Sequence, residues 1–120
     1  MTTSSASDNL QLFAAAFKAL PHPVVLYDET QVLFANAAAQ RLFGGSRSAQ
    51  VEGTALEALH VPELSDVGVQ RRMFVLHGNA TFTDVPVKVR TLDGQTLRLR
   101  VDMRPVSLDG TTIGMLTLPR

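Results

Sequence analysis

HGNATFTDVPVKVRTLDGQTLRLRVDMRPVSLDGTTIGMLTL, residues 77–118, alternates apolar and polar side chains around two Asp-Gly pairs. Val85, Val87 and Val89 alternate with Asp84, Pro86, Lys88 and Arg90. Leu97, Leu99, Val101 and Met103 alternate with Thr96, Arg98, Arg100, Asp102 and Arg104. A period of two places all the apolar members of a strand on one face, so each strand has one buried and one wet side. Asp93-Gly94 and Asp109-Gly110 carry the left-handed conformation that tight hairpins require, which predicts a three-stranded antiparallel meander.

Upstream, PVVLYD and QVLFAN are short β-rich runs joined by the polar turn Asp28-Glu29-Thr30, predicting a hairpin over residues 23–27 and 31–35. Asn36 follows as an N-cap for the helix AAAQRLF, which ends at Gly44-Gly45. Residues 46–64 are expected to hold short helical turns punctuated by Gly53 and Pro62. In SDVGVQRRMFVLHG, Val69, Met73 and Leu76 are spaced four and three apart, as on one side of a helix ending at Gly78. Residues 1–7 are small and polar and are expected to be disordered. Residues 8–20 place Leu10, Phe13, Phe17 and Leu20 on one side of an amphipathic helix stopped by Pro21 and Pro23.

The chain of 120 residues fits one core, 45% of it is apolar, and eleven basic residues balance eleven acidic ones. That balance argues against a polyanion as whole-domain partner. No apolar run approaches the ~18 residues of a membrane span, and MTTSSASDN lacks the layout of a signal peptide. The expected location is cytoplasmic. The absence of cysteine excludes disulfides, thiolate metal sites, cysteine nucleophiles and cysteinyl adducts.

The hairpin strands and residues 112–118 are apolar in both phases, so a second face of the sheet needs a cover. The helix at 8–20 is the element available, either packed there or paired with its copy in a homodimer.

The order of elements resembles a PAS domain. PVVLYDETQVLFANAAAQRLFGG is similar to the family's strand, turn, strand, Asn, helix and Gly opening. VEGTALEAL is similar to its Gly-led short helices, and VRTLDGQTLRLRVDMRPVSLDGTTIGMLTL to its last three strands. The resemblance spans roughly residues 10–118. It implies an α+β fold, with a five-stranded antiparallel sheet and short helices closing one face, as a sensor domain over 21–120 preceded by the helix at 8–20. Its implied function is to bind a small ligand in an apolar pocket and relay the signal to a fused output, such as a bacterial transcriptional regulator or kinase. The chain ends at LTLPR, and that output is expected on the parent protein. The alternative is a ligand-free dimerisation or protein-interaction module.

Candidate pocket residues are Val25, Tyr27, Leu33, Met73, Leu76, Val87, Leu99, Val101 and Leu116; for each, plain core packing is the competing explanation. Either phase of the hairpin can face inward. Tyr27 stands out because a buried phenol needs a hydrogen-bond partner, and Met73 because a thioether adapts its shape. Among cofactors the family uses, haem needs an imidazole facing the pocket, for which His77 is a weak candidate and His60 a weaker one. Both stand just before helix-ending Gly or Pro residues, where the helix dipole favours a histidine without any ligand. His22 lies between prolines in a connection. Flavin finds no Trp and a single Tyr. A stripe of Lys88, Arg90, Arg98, Arg100 and Arg104 against Asp84 and Asp102 has a local charge of +3 and is expected to be a solvated sheet face, with no direct nucleic-acid binding. No carboxylate is placed beside a histidine, no Gly-rich phosphate loop or metal-ligand spacing is present, and Ser46, Ser48 and Ser65 lack a nucleophile context, so no enzymatic site is expected.

Overall fold

The computed structural model describes residues 11–12, 15–18, 20–45, 50–61, 65–108 and 110–118. Five strands form one antiparallel sheet: β1 (Val24–Tyr27), β2 (Val32–Ala35), β3 (Phe82–Arg90), β4 (Thr96–Leu108) and β5 (Thr111–Thr117). Helix α1 (Ala37–Gly44), a 3-10 turn (Leu56–Leu59) and helix α2 (Ser65–Gly78) lie between β2 and β3. The strand order is β2-β1-β5-β4-β3, so the C-terminal strand of the meander slots beside β1 and joins hairpin to meander. Pro86, which cannot donate a ladder hydrogen bond, sits in β3 at the sheet's edge.

Around β1, β2, β5 and the end of β4, both faces of the sheet are apolar. On one, Val25, Tyr27, Val32, Val101 and Met103 join Ala39 and Phe43 of α1, Val51, Leu56, Leu59 and Val75 of α2 in the main core. On the other, Leu26, Phe34, Leu108 and Ile113 form a second cluster, against which Phe17, Leu33, Val106 and Met115 pack. The double-phase apolar pattern of the hairpin and β5 is thus the signature of a central wall with a core on each side.

Residues 11–12 and 15–17 are helical. Phe17 reaches the second cluster, whereas Leu12 and Leu20 are exposed. Leu10, Phe13 and the expected disorder of residues 1–7 lie outside the described residues.

Asn36 ties the parts together. Its side chain is 1% exposed. Oδ1 accepts from the Ala39 backbone, capping α1 at 2.9 Å, and from Val24 N at 3.0 Å. Nδ2 donates to the carbonyls of His22 at 2.8 Å and Phe17 at 3.2 Å. The turn before it is closed by Asp28, whose Oδ1 accepts from Thr30 N and Gln31 N.

Replacing Asn36 with Ala removes a cap and leaves buried backbone groups unpaired. The expected loss of stability is about 3 kcal/mol, read from urea denaturation midpoints. Asn36→Asp keeps the two acceptor bonds and loses the two donor bonds, so it should fall between wild type and Asn36→Ala.

Candidate functional site

The first face of the sheet does not close completely on its helices. A cavity of about 610 Å³ lies between them. Its sheet wall includes Val25 and Tyr27 of β1, Val87 of β3, Leu99 and Met103 of β4, and Leu116 of β5. Opposite stand Phe43 of α1, Leu56 and Leu59 of the 3-10 turn, His60, and Val67, Gly68, Arg71 and Arg72 of α2.

Local geometry explains how the polar members enter. Tyr27 pairs with Gly114 across β1 and β5, and its ring lies directly over that glycine; a Cβ there would overlap the ring. Gly114 is therefore what lets a phenol lie flat on the sheet. Gly68 does the same for His60, since a Cβ at Gly68 would come within 2.9 Å of His60 Nε2. An antiparallel bridge to Val89 anchors His60 against β3, and Arg71 Nη1 reaches the Pro86 carbonyl at 3.4 Å.

Three polar groups are buried here without a hydrogen-bond partner among the described residues: Tyr27 Oη, His60 Nδ1, and Nε and Nη1 of Arg72. Burial pushes the Tyr27 hydroxyl up to about 12, with the Arg72 cation pulling the other way. Burial also lowers His60, helped by Arg72 and opposed by Glu57. The phenol is a donor and the imidazole neutral at physiological pH.

Of the residues proposed from sequence, Val25, Tyr27, Val87, Leu99 and Leu116 line the cavity. Four do not. Leu33 packs into the second cluster, because a register shift between Leu26 and Tyr27 pairs Tyr27 with Val32 and gives Val32 the inward position. Val101 is sealed within the main core. Met73 is 40% exposed, and Leu76 is buried beside Asp28, Glu29 and Thr30 in a separate shallow depression. Both helix assignments fail for one reason: α2 turns Gly68, Arg71, Arg72 and Val75 inward, a face that an apolar spacing rule does not select.

His77, the weak haem candidate, is exposed and hydrogen-bonded to Glu29 away from the cavity. The imidazole of the cavity belongs to His60. Phe43, Leu56, Leu59, His60 and Arg72 were not among the expected pocket residues; a readable signal for them is the small residue Gly68 one turn before Arg72 and two turns before Val75. Among the described residues no cluster of three or more His, Cys, Asp or Glu could hold a metal ion, and no helix is long and apolar enough to cross a membrane. In the basic stripe, Arg100 pairs with Asp84 at 2.8 Å, largely exposed to solvent, and Arg104 approaches the half-buried Asp102 at 3.8 Å.

A family model described as a PAS domain matches residues 11–83. The chain belongs to the PAS family. Its fold is similar to that of the PAS domain of a protein from Colwellia psychrerythraea, with a TM-score of 0.68, 18% identity, and coverage of 92% of this chain and 95% of that one. The PAS domain of nitrogen regulation protein NR(II) from Vibrio parahaemolyticus gives 0.64 at 20% identity, covering 91% and 97%. That of a LuxR-family transcriptional regulator from Burkholderia thailandensis, solved in complex with ethanol, gives 0.64 at 19%, covering 88% and 93%. No curated protein matches the chain. In this PAS domain the five-stranded sheet is the wall of the cavity, and the 3-10 turn and α2 are its lid.

Two outcomes follow from the buried polar groups. Tyr27→Phe removes an unpartnered hydroxyl and should stabilise the ligand-free PAS domain by about 1 kcal/mol, measured by urea denaturation. Because His60 has a folded-state pKa below its ordinary 6.5, the unfolded chain takes up that proton first as pH falls. Stability should therefore decline as pH drops below about 6.5 and level off once folded His60 is also protonated. His60→Asn should remove this component when denaturation midpoints are compared between about pH 7.5 and pH 5.5.

Proposed function

We propose that this PAS domain is the sensory part of a larger signalling protein and that it senses a small organic molecule held non-covalently in the cavity. One observation carries the reading: a cavity of about 610 Å³ whose largely apolar wall holds three polar groups with buried atoms that have no partner among the described residues. Cavities of roughly 300–1,000 Å³ with a few convergent polar groups are the ordinary form of a ligand site. A domain of similar fold in a LuxR-family regulator was solved with ethanol, which supports a small ligand rather than haem or flavin. The position of His77 outside the cavity weighs in the same direction.

Occupancy acts by population shift. A ligand that touches α2 and the sheet at once favours the arrangement in which both grip it, in proportion to its differential affinity for that arrangement. The altered wall is then relayed through the second face, where Phe17 packs, to a dimer contact and a fused regulator or kinase. The alternative is a ligand-free dimerisation module. It draws on the exposed Leu12 and Leu20 at the same end of the chain. It leaves the buried Arg72 without a purpose.

Native mass spectrometry of the gently purified protein separates the two. A retained small mass is expected in wild type. Leu99→Phe narrows the cavity and should abolish the retained mass while leaving the melting temperature within a few degrees, since an added ring fills space already open. Undiminished retention in Leu99→Phe would overturn the ligand-sensing reading.

A further inference from the structure

The charge of the cavity identifies the class of ligand, and this step rests on the sensory reading above. Among the described residues lining the cavity none is Asp or Glu, whereas Arg71, Arg72, Lys88, Arg98 and Arg100 all contribute to its walls and rim. Arg71 donates to the Pro86 carbonyl, and Arg100 is engaged by Asp84. Arg72 differs. Its Nε and Nη1 are buried with no acceptor among the described residues, and it lies close enough to Tyr27 and His60 for its charge to act on both. A guanidinium keeps its charge where a buried amine can lose it, so an anion is the favoured acceptor for these two buried N–H groups. Glu57 acts on His60 but does not line the cavity.

We infer that the cavity binds a monocarboxylate with an apolar body, the carboxylate accepting hydrogen bonds from Arg72 and from the Tyr27 hydroxyl. The chemistry of the unpartnered atoms selects this group. Arg72 only donates, and a protonated phenol with no acceptor nearby is free to donate. A carboxylate only accepts, and its single charge matches Arg72, whose Nε and Nη1 have no acceptor among the described residues. A phosphate dianion would leave a charge uncompensated in an apolar wall. Apart from His60 and the basic groups of the wall and rim, the described lining is apolar, with Val25, Leu56, Leu59, Val87, Leu99 and Leu116 matching a hydrocarbon body. The uncompensated basic groups near the opening favour entry of an anion.

Decanoate, decanol, decylamine and decyl phosphate share one chain and differ in head group. Isothermal titration of each into the intact protein tests the assignment. Decanoate should bind at least about tenfold more tightly than the other three, the effect of one hydrogen-bonded charge pair. Tyr27 is the sole tyrosine and there is no tryptophan, so its emission should change on decanoate binding and report the contact directly. In Arg72→Gln the preference for decanoate over decanol should vanish. Should that variant fail to fold, Tyr27→Phe, which removes a single oxygen, should weaken decanoate several-fold and leave decanol unchanged. Equal binding of decanol and decanoate would overturn the carboxylate assignment and leave the apolar pocket standing. Tighter binding of decyl phosphate or decylamine would overturn it in favour of another head group. A preference for decanoate that survives in both variants would remove Arg72 and Tyr27 from the site. Failure of all four to bind would overturn this assignment, and retained ligand in native spectra would then decide separately whether the sensory reading stands.

Discussion

One carboxamide holds the two ends of this fold in place. Asn36 satisfies two donors and two acceptors of the backbone from three elements: the segment from Phe17 to His22, the start of β1, and the first turn of α1. Each is a chain terminus of regular structure or a connection, with main-chain groups that would otherwise be buried unpaired. Only a side chain with both a carbonyl and an amide can serve them together, so Asp or Ser at this position could do part of the work but not all of it. Everything that faces the cavity from β1 is aligned by this anchor. Val24 N is held, Val25 and Tyr27 point inward, and Leu26 points to the opposite core.

The sheet was readable because strands are simple. The meander follows from alternation and two Asp-Gly turns, and the hairpin and Asn36 cap from local chemistry, so the five-stranded antiparallel sheet and its turns stand where the sequence places them. Cavity residues on strands were readable for the same reason, with Val87, Leu99 and Leu116 in the inward phase. Leu33 was misplaced by a bulge, which shifts phase by one residue and leaves no composition signal in a run that is apolar throughout. Helix α2 misled for a deeper reason. Apolar periodicity assumes that the inner face packs against hydrocarbon, and here that face carries Gly68, Arg71 and Arg72 because it borders open space. Met73 and Phe74 point outward, the latter 58% exposed. A helix that lines a binding cavity can invert the usual pattern.

The same inversion has an energetic meaning. A phenol, an imidazole and a guanidinium buried without partners each lower stability by an amount on the order of 1–3 kcal/mol, against a total of only about 5–15 kcal/mol for a typical domain. Selection for stability alone would replace Tyr27 with Phe and Arg72 with an aliphatic residue, and both changes need only a single side chain. Their presence in one cavity is a local conflict with foldability, and such conflicts concentrate where function requires them. Under the proposed function, an occupant that satisfied these groups would favour one arrangement of the wall, so ligand chemistry and conformational bias would be coupled through the same atoms.

The thinness of the wall decides how far that bias must travel. The sheet, at β1, β4 and β5, is the layer between the cavity and the second cluster among the described residues. Val25 and Leu116 face one side, while Leu26, Ile113 and Met115 face the other. A close-packed core does not absorb a displacement by compression, so a shift of β1 imposed from the cavity must be met by repacking of Leu26 and Phe34 against Phe17. Asn36 grips the Phe17 carbonyl and Val24 N with the same side chain, which couples that repacking to the segment leading out of the sheet. Under the proposed function, a ligand would need no long pathway. Two strands and one buried amide would connect the head group at Tyr27 to the surface at Phe17. Gly114 would set the sensitivity of that link, because the absence of a side chain there lets the Tyr27 ring lie against the β5 backbone, so that a change in the ring's position would act on the strand itself.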